Sequence, residues 1–196
     1  SASASPESGE RLGAAVESLD HMGALVEQML FLARAEDPAT ALSLDSLDLS
    51  LTLSEAVRPF EPLAEERGLE LLVLAPGGLT LRADPILLRR ALHNLLANAL
   101  RHTHEGTISL TAGEQDGAIW IEVRDTGEGI PPGLLPRLGQ RFLRGDESRD
   151  RASGGTGLGL AIVQSILRLH GGRLEVASEP GKGTRARLVF PRDREG

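Results

Sequence analysis

Asn94, Asn98 and Arg101 stand four and three residues apart, so on a helix they project from one face. Two amides and a cation are a poor core stripe but a good wall for a triphosphate. A hard cation such as Mg²⁺ takes oxygen ligands, and an Asn carbonyl supplies one while phosphates supply others. A solvated polar face has the same spacing, so this cluster needs company. A second segment, Asp125-Thr126-Gly127-Glu128-Gly129-Ile130, sets an acid at the end of an apolar strand, followed by alternating glycines. Glycines there let a ligand approach the backbone, and the carboxylate can accept a hydrogen bond from an exocyclic amine such as that of adenine. A plain glycine turn is the alternative reading. The third segment, Gly154-Gly155-Thr156-Gly157-Leu158-Gly159-Leu160, leads into a helix, and backbone amides at such a start make an anion site. It is neither a dinucleotide fingerprint nor a phosphate loop of the G-x-x-x-x-G-K-[ST] type, and Gly181-Lys182-Gly183-Thr184 does not supply one. Arg137, Arg141, Arg144, Arg149 and Arg151 lie just upstream and supply local positive charge.

These segments need a scaffold. Asp84 caps and Pro85 opens a helix reaching about residue 102, with Leu92, Leu95, Leu96, Ala99 and Leu100 on its core side. A second helix is expected over 158–169, ending at His170-Gly171-Gly172, and a third over 52–67, ending at Gly68. Short strands are expected at 69–74 and 79–82 around Pro76-Gly77-Gly78. Strands 107–112 and 118–124 form a hairpin around Gln115-Asp116-Gly117, and strands 173–178 and 184–190 close the domain. The stretch 125–157 is too long and aperiodic for a mere connector. Together these predict an α+β fold, a two-layer α/β sandwich with one mostly antiparallel sheet and its helices on one face.

A separate unit precedes it. Residues 1–6 read as a flexible end, and a helix over 7–36 carries Leu12, Val16, Leu19, Gly23, Val26, Leu30 and Ala33 in alternating steps of four and three. Met22, Leu25, Met29 and Leu32 widen that stripe, which calls for partners in a bundle or a dimer, unless it packs on its own domain. Residues 37–46 read as a linker, 47–192 as the main domain and 193–196 as a tail.

Composition narrows the classes. With 40% hydrophobic but only 3% aromatic residues among 196, the core must be aliphatic. A net charge of −7 argues against general nucleic-acid binding. The absence of cysteine removes disulfides and thiolate metal sites. No apolar run approaches the 18 or so residues of a membrane span.

The motifs resemble those of sensor histidine kinases: residues 94–103 the N box, 125–130 the G1 box, Arg141-Phe142-Leu143-Arg144-Gly145-Asp146 the F box, and 155–160 the G2 box, in order over nearly the whole chain. The resemblance implies the ATP-binding (Bergerat) sandwich shared with gyrase, heat-shock and mismatch-repair ATPases. It implies ATP and Mg²⁺ as cofactors, with Asn98 the Mg²⁺ ligand, Asn94 a partner near the phosphates and Arg101 a phosphate contact. It further makes Asp125 the adenine reader, with Gly127, Gly129 and Ile130 shaping its pocket and His102 placed to stack on the base. Phe142 and Arg144 would act from the F box, Arg144 on the γ-phosphate, while Gly155, Thr156, Gly157, Leu158 and Gly159 form a mobile lid. The related ATPases carry a Glu where Asn94 stands, and an amide cannot take a proton from water. Transfer to a protein nucleophile is therefore expected over hydrolysis.

Residues 7–36 resemble the second helix of the dimerisation and histidine-phosphotransfer hairpin, without the first helix and its acceptor histidine. His21 lacks the flanking motif and reads as a helix-surface residue; His93 and His170 read as structural. The implied partners are ATP, a histidine-bearing helix of the parent kinase and a response regulator, with the parent a homodimer, this part cytoplasmic and the parent in a bacterial inner membrane. Phe60-Glu61-Pro62-Leu63-Ala64-Glu65-Glu66-Arg67-Gly68 and residues 84–103 look most like heavy-metal sensor kinases. A serine kinase of the anti-sigma type and a nucleotide-binding pseudokinase are the rival readings on this fold.

Overall fold

The computed structural model describes residues 6–35, 37, 40–140 and 157–192, with the side chains of helix α1 described at Val16, Leu19 and from residue 22 onward. α1 spans Pro6–Arg34. After it come β1 (Asp45–Asp48), α2 (Leu49–Val57), a 3₁₀ turn (Arg58–Phe60), α3 (Glu61–Glu66), β2 (Glu70–Leu74), β3 (Thr80–Ala83) and α4 (Pro85–His102). β4 (Thr107–Gln115), β5 (Ala118–Asp125), α5 (Gly159–Leu169), β6 (Arg173–Glu179) and β7 (Gly183–Pro191) complete it.

Five strands form one sheet in the order β2-β4-β5-β7-β6. Only β2 and β4 run parallel; the other neighbours are antiparallel. β4 and β5 alternate cleanly, with Ile108, Leu110, Ile119, Ile121 and Val123 buried on the helix side. α4 lays Leu88, Leu92, Leu95, Leu96 and Leu100 on that face, and α5 adds Ile162, Val163 and Ile166. The core is aliphatic apart from Phe190. The two-layer sandwich expected from the pattern is the observed fold.

Three local features depart from the reading of the sequence. The expected helix over 52–67 is broken in two, because Pro59 and Pro62 lack the amide hydrogens that a continuous ladder needs. Residues 69–74 and 79–82 are strands but not partners: β2 joins the main sheet, while β3 pairs with β1 in a separate two-stranded ribbon. β1 itself lies across the expected end of the linker. By contrast, Asp84 caps α4 as its position predicts, its Oδ1 accepting the amides of Ile86 and Leu87 at 3.0 Å each. The β4–β5 hairpin turns on Asp116 and Gly117 at φ 52° and 71°, the left-handed pair that a two-residue turn requires.

Among the described residues, α1 touches the sandwich through its C-terminal part. Leu32 is buried, Leu25 and Phe31 pack against the core, and the Arg90 guanidinium sits 4.2 Å over the Phe31 ring. Val16, Leu19, Met22, Val26, Met29 and Leu30 are exposed. The expected apolar stripe is thus covered at Leu25 and Leu32 and exposed at these six positions.

Candidate functional site

α4 carries one wall of the site. Its inward residues fix its rotation, and that rotation brings the Asn94 and Asn98 side chains up to the first turn of α5. A Cβ placed on Gly159 would stand 3.0 Å from Asn94 Oδ1 and 3.7 Å from Asn98 Nδ2. Asn94 donates its Nδ2 to the Arg90 carbonyl at 2.8 Å, which leaves its amide oxygen free to accept. Asn98 and Arg101 have no partner among the described residues, and both are half-buried. The Asn94 oxygen and the Asn98 amide thus meet the glycine-opened start of α5, polar groups suited to phosphate oxygens and an oxygen-seeking cation. Gly157, at φ 68°, lies two residues before α5, and the Leu158 side chain is fully buried, so Leu158 can offer a ligand only its backbone.

The end of α4 is fastened from two sides. Thr103 Oγ1 donates to the Ala99 carbonyl at 2.7 Å, and Arg67 Nη1 to the Leu100 carbonyl at 3.0 Å, meeting carbonyls that a helix end leaves open. The next residues meet the glycine loop after β5. A Cβ on Gly127 would collide with the His102 carbonyl, and one on Gly129, at φ 70°, with that of Glu179. These two glycines are there for close backbone approach.

Asp125 sits at the floor of this loop, 7% exposed. Its Oδ1 accepts the Gly127 amide at 2.9 Å and the Thr184 amide at 3.1 Å. Oδ2 makes no bond among the described residues, which leaves it to accept from a ligand. Burial pushes the carboxyl above the usual carboxylate range; the two backbone amides and His102 pull against that shift and Glu128 adds to it. Ile130 is placed by its amide, which donates to Ser178 Oγ at 2.8 Å. His102 Nδ1 lies 2.7 Å from Glu128 Oε1.

So the structure brings Asn94 and Asn98 to Gly159 at the start of α5, and sets His102, at the end of α4, against the loop of Asp125, Gly127, Gly129 and Ile130; Arg101 precedes His102 on α4, and Gly157 lies two residues before α5. Phe142, Arg144, Gly155 and Thr156 lie outside the described residues, as do Arg141, Arg149 and Arg151. Reading the sequence missed Glu128, Ser178 and Thr184; the only signal for the last two was the Pro180-Gly181-Lys182-Gly183-Thr184 turn, which gives no hint that it returns to Asp125. His170 is structural: its Nε2 accepts the Asp84 amide at 3.0 Å and its Nδ1 donates to the Ile166 carbonyl at 2.8 Å, tying the end of α5 to the start of α4. His93 packs edge-on to Phe60, 5.3 Å between ring centres, and burial, with Arg89 adding to it, holds its imidazole below its usual range. A cleft of about 430 Å³ beside it shares Asn94 with the amide pair and does not reach Asp125.

A helix-and-sheet sandwich with paired helical amides, a buried acid at a strand end and a glycine-led helix start is a nucleotide-binding sandwich. Residues 83–194 match the family described as histidine kinase-, DNA gyrase B- and HSP90-like ATPase, and the chain belongs to it. Within that family it is a catalytic domain of the sensor histidine kinase type. It is 38% identical over 177 residues to the sensor protein IrlS of Burkholderia pseudomallei, covering 90% of this chain and 38% of that protein. It is 41% identical over 177 residues to the sensor histidine kinase CusS of Escherichia coli K12, covering 90% of this chain and 36% of the relative. The chain thus spans well under half the length of these relatives. Among solved structures, full-length ShkA in complex with AMPPNP matches with a TM-score of 0.84 and 32% identity, over 97% of this chain and 40% of that one.

Proposed function

We propose that this domain binds MgATP and transfers the γ-phosphate to a histidine on a dimerisation helix outside the chain, for passage to a response regulator. The observation that carries the proposal is the approach of Asn94 and Asn98 to the start of α5, with the loop of buried Asp125 against the C-terminal end of the same helix. Asp125 Oδ2 accepts the adenine amine, and the glycine loop lets the base come close. Asn98 would hold Mg²⁺ and Arg101 would contact phosphate, with Asn94 beside them; the cation, when bound, would supply charge neutralisation at the phosphates. Among the described residues no group of three or more His, Asp or Glu side chains forms a metal site, in keeping with a cation shared between Asn and phosphate. Arg144 and Phe142 complete the site on the F-box resemblance, and Gly155, Thr156 and Gly157 the lid. The AMPPNP bound by ShkA supports the nucleotide class.

α1 is read as the second helix of a dimerisation hairpin. Its exposed stripe, Val16 to Leu30, supports this, since a missing antiparallel helix and a second hairpin would cover it in a four-helix dimer. The parent would be a homodimeric inner-membrane sensor with this domain in the cytoplasm, of the heavy-metal type on the resemblance of residues 60–68 and 84–103. No helix of the described residues is long and apolar enough to cross a membrane.

The Asn94 amide cannot take a proton from water, so the chain alone should hydrolyse ATP slowly and accumulate no acid-labile phosphate. Incubation with γ-labelled ATP and acid-sensitive autoradiography checks this; robust phosphohistidine on His21 would make α1 itself the substrate and overturn the reading.

The raised pKa of Asp125 has a sign that can be checked. Accepting an amine favours the carboxylate, so the pKa in the complex lies below that of the free domain, and binding releases a proton. Adenine-nucleotide affinity should therefore rise as pH climbs through the free-state pKa, above the ordinary Asp range, and level off beyond it. Calorimetry in buffers of different ionisation enthalpy reads the released proton. Affinity flat down to the usual carboxylate range would contradict Asp125 as the amine acceptor.

A further inference from the structure

Glu128 lies between the two glycines of the post-β5 loop, and the nucleotide site as described gives it no task. It is nonetheless tied at its amide, its carbonyl and its carboxylate. Its amide donates to the His102 carbonyl at 3.1 Å, its carbonyl accepts the Gly181 amide at 2.8 Å, and its carboxylate Oε1 lies 2.7 Å from His102 Nδ1. Backbone and side chain of one residue thus hold backbone and side chain of another. The Gly181 bond anchors the assembly to the β6–β7 turn, and the Thr184 amide at the start of β7 also holds Asp125.

We propose that Glu128 is a positioning residue for His102, fixing the ring that forms the lip of the base pocket. The two side chains are 43% and 52% exposed, and an exposed pair of this kind contributes little to stability. What it does is select. A free imidazole at a helix end samples several χ1 wells and two tautomers. A carboxylate on Nδ1 leaves one ring orientation and places the neutral ring's proton on Nδ1, as second partners of functional histidines do. The ring is then set before the nucleotide arrives, and the ordering cost otherwise charged to binding falls. The anchor is independent of the ligand, because Gly181 and the His102 carbonyl hold the Glu128 backbone already.

This inference rests on the reading of Asp125 and His102 as adenine-facing, and the test separates the two. ADP affinity is measured by calorimetry for Glu128→Ala, Glu128→Gln, and Glu128→Ala in a His102→Tyr background, with thermal midpoints and the ¹⁵N shifts of the His102 ring. Glu128→Ala should weaken ADP about 3- to 10-fold, the size of one lost side-chain hydrogen bond. Its thermal midpoint should hold, and the Nδ1-protonated signature of His102 should be lost. Glu128→Gln, whose amide oxygen still accepts from Nδ1, should bind within about twofold of the parent. In the Tyr background the Ala change should be silent, because no Nδ1 remains to be held. Parent-like ADP binding by Glu128→Ala overturns the proposal, as does an equal loss in the Tyr background or a Gln variant as weak as Ala. If Asp125→Asn leaves ADP affinity untouched, it is the adenine-site reading that falls.

Discussion

Asp125→Asn should lose about 100-fold or more in affinity for ATP, ADP and adenosine alike, with the fold intact. The two halves of that expectation come from the two carboxylate oxygens. Oδ1 holds the Gly127 and Thr184 amides, and an Asn carbonyl in its place accepts both. Oδ2 has no bond among the described residues, and in the variant an NH₂ group takes its position. A donor then faces the donor of the base, in a site only 7% exposed. Losing a bond to a charged group is worth about 1.5–3 kcal/mol, and an unsatisfied buried donor adds about 1–3 more. At 1.4 kcal/mol per tenfold, the smallest sum is about 60-fold and the middle of the range lies well above 100-fold. The loss should be the same with and without Mg²⁺, because the base lies away from the metal. Equal ATP binding by variant and parent in calorimetry would remove the base site from Asp125.

Asn98→Ala should show the complementary pattern, with MgATP weakened about 10- to 100-fold and metal-free ADP nearly unchanged. Partners that merely support a metal ligand already cost that much when removed, so a direct ligand should cost no less. Asn98 is half-buried on the amide face rather than in the core stripe of α4, so truncation leaves Leu95, Leu96, Ala99 and Leu100 packed as they are. The adjacent Asn94, bonded through Nδ2 to the Arg90 carbonyl, keeps its oxygen but cannot supply the lost ligand position. Titrations with and without Mg²⁺ decide it: equal losses in the two series would make Asn98 a structural or base-side residue instead.

How far the sequence was legible depended on whether the signal was local. Asp84-Pro85 announced α4, and Asp116-Gly117 announced the hairpin, because caps and left-handed turns are set by the residues that make them. The face shared by Asn94, Asn98 and Arg101 followed from helical period alone. The pairing of β3 with β1 did not, since Asp45-Ser46-Leu47-Asp48 is a short polar strand without an alternating pattern, and its partner lies more than 30 residues away. The break at Pro59 was local and readable, yet the apolar rhythm on both sides concealed it. In the site, Asp125 stood out by its place at the end of a strand, whereas Thr184 reaches it only because β7 lies beside β5, and Ser178 reaches Ile130 only because β6 lies beside β7. Glu128 was hidden for another reason: in a glycine loop a polar residue looks like solvent filler until its partner across the loop is known.

The central claim is that this domain is the donor half of a histidine phosphotransfer, and one measurement tests it most directly. The purified chain is incubated with γ-labelled ATP and Mg²⁺, with and without a separately supplied hairpin bearing the acceptor histidine upstream of α1. Proximity of a nucleophile to the bound nucleotide is what the isolated chain lacks, and it is worth many orders of magnitude when geometry is right. Acid-labile, base-stable label should appear on the supplied hairpin, require Mg²⁺, and vanish with Asp125→Asn, while this chain stays unlabelled. ATP binding of normal strength with no label on the hairpin, or label released only as inorganic phosphate, would contradict the account.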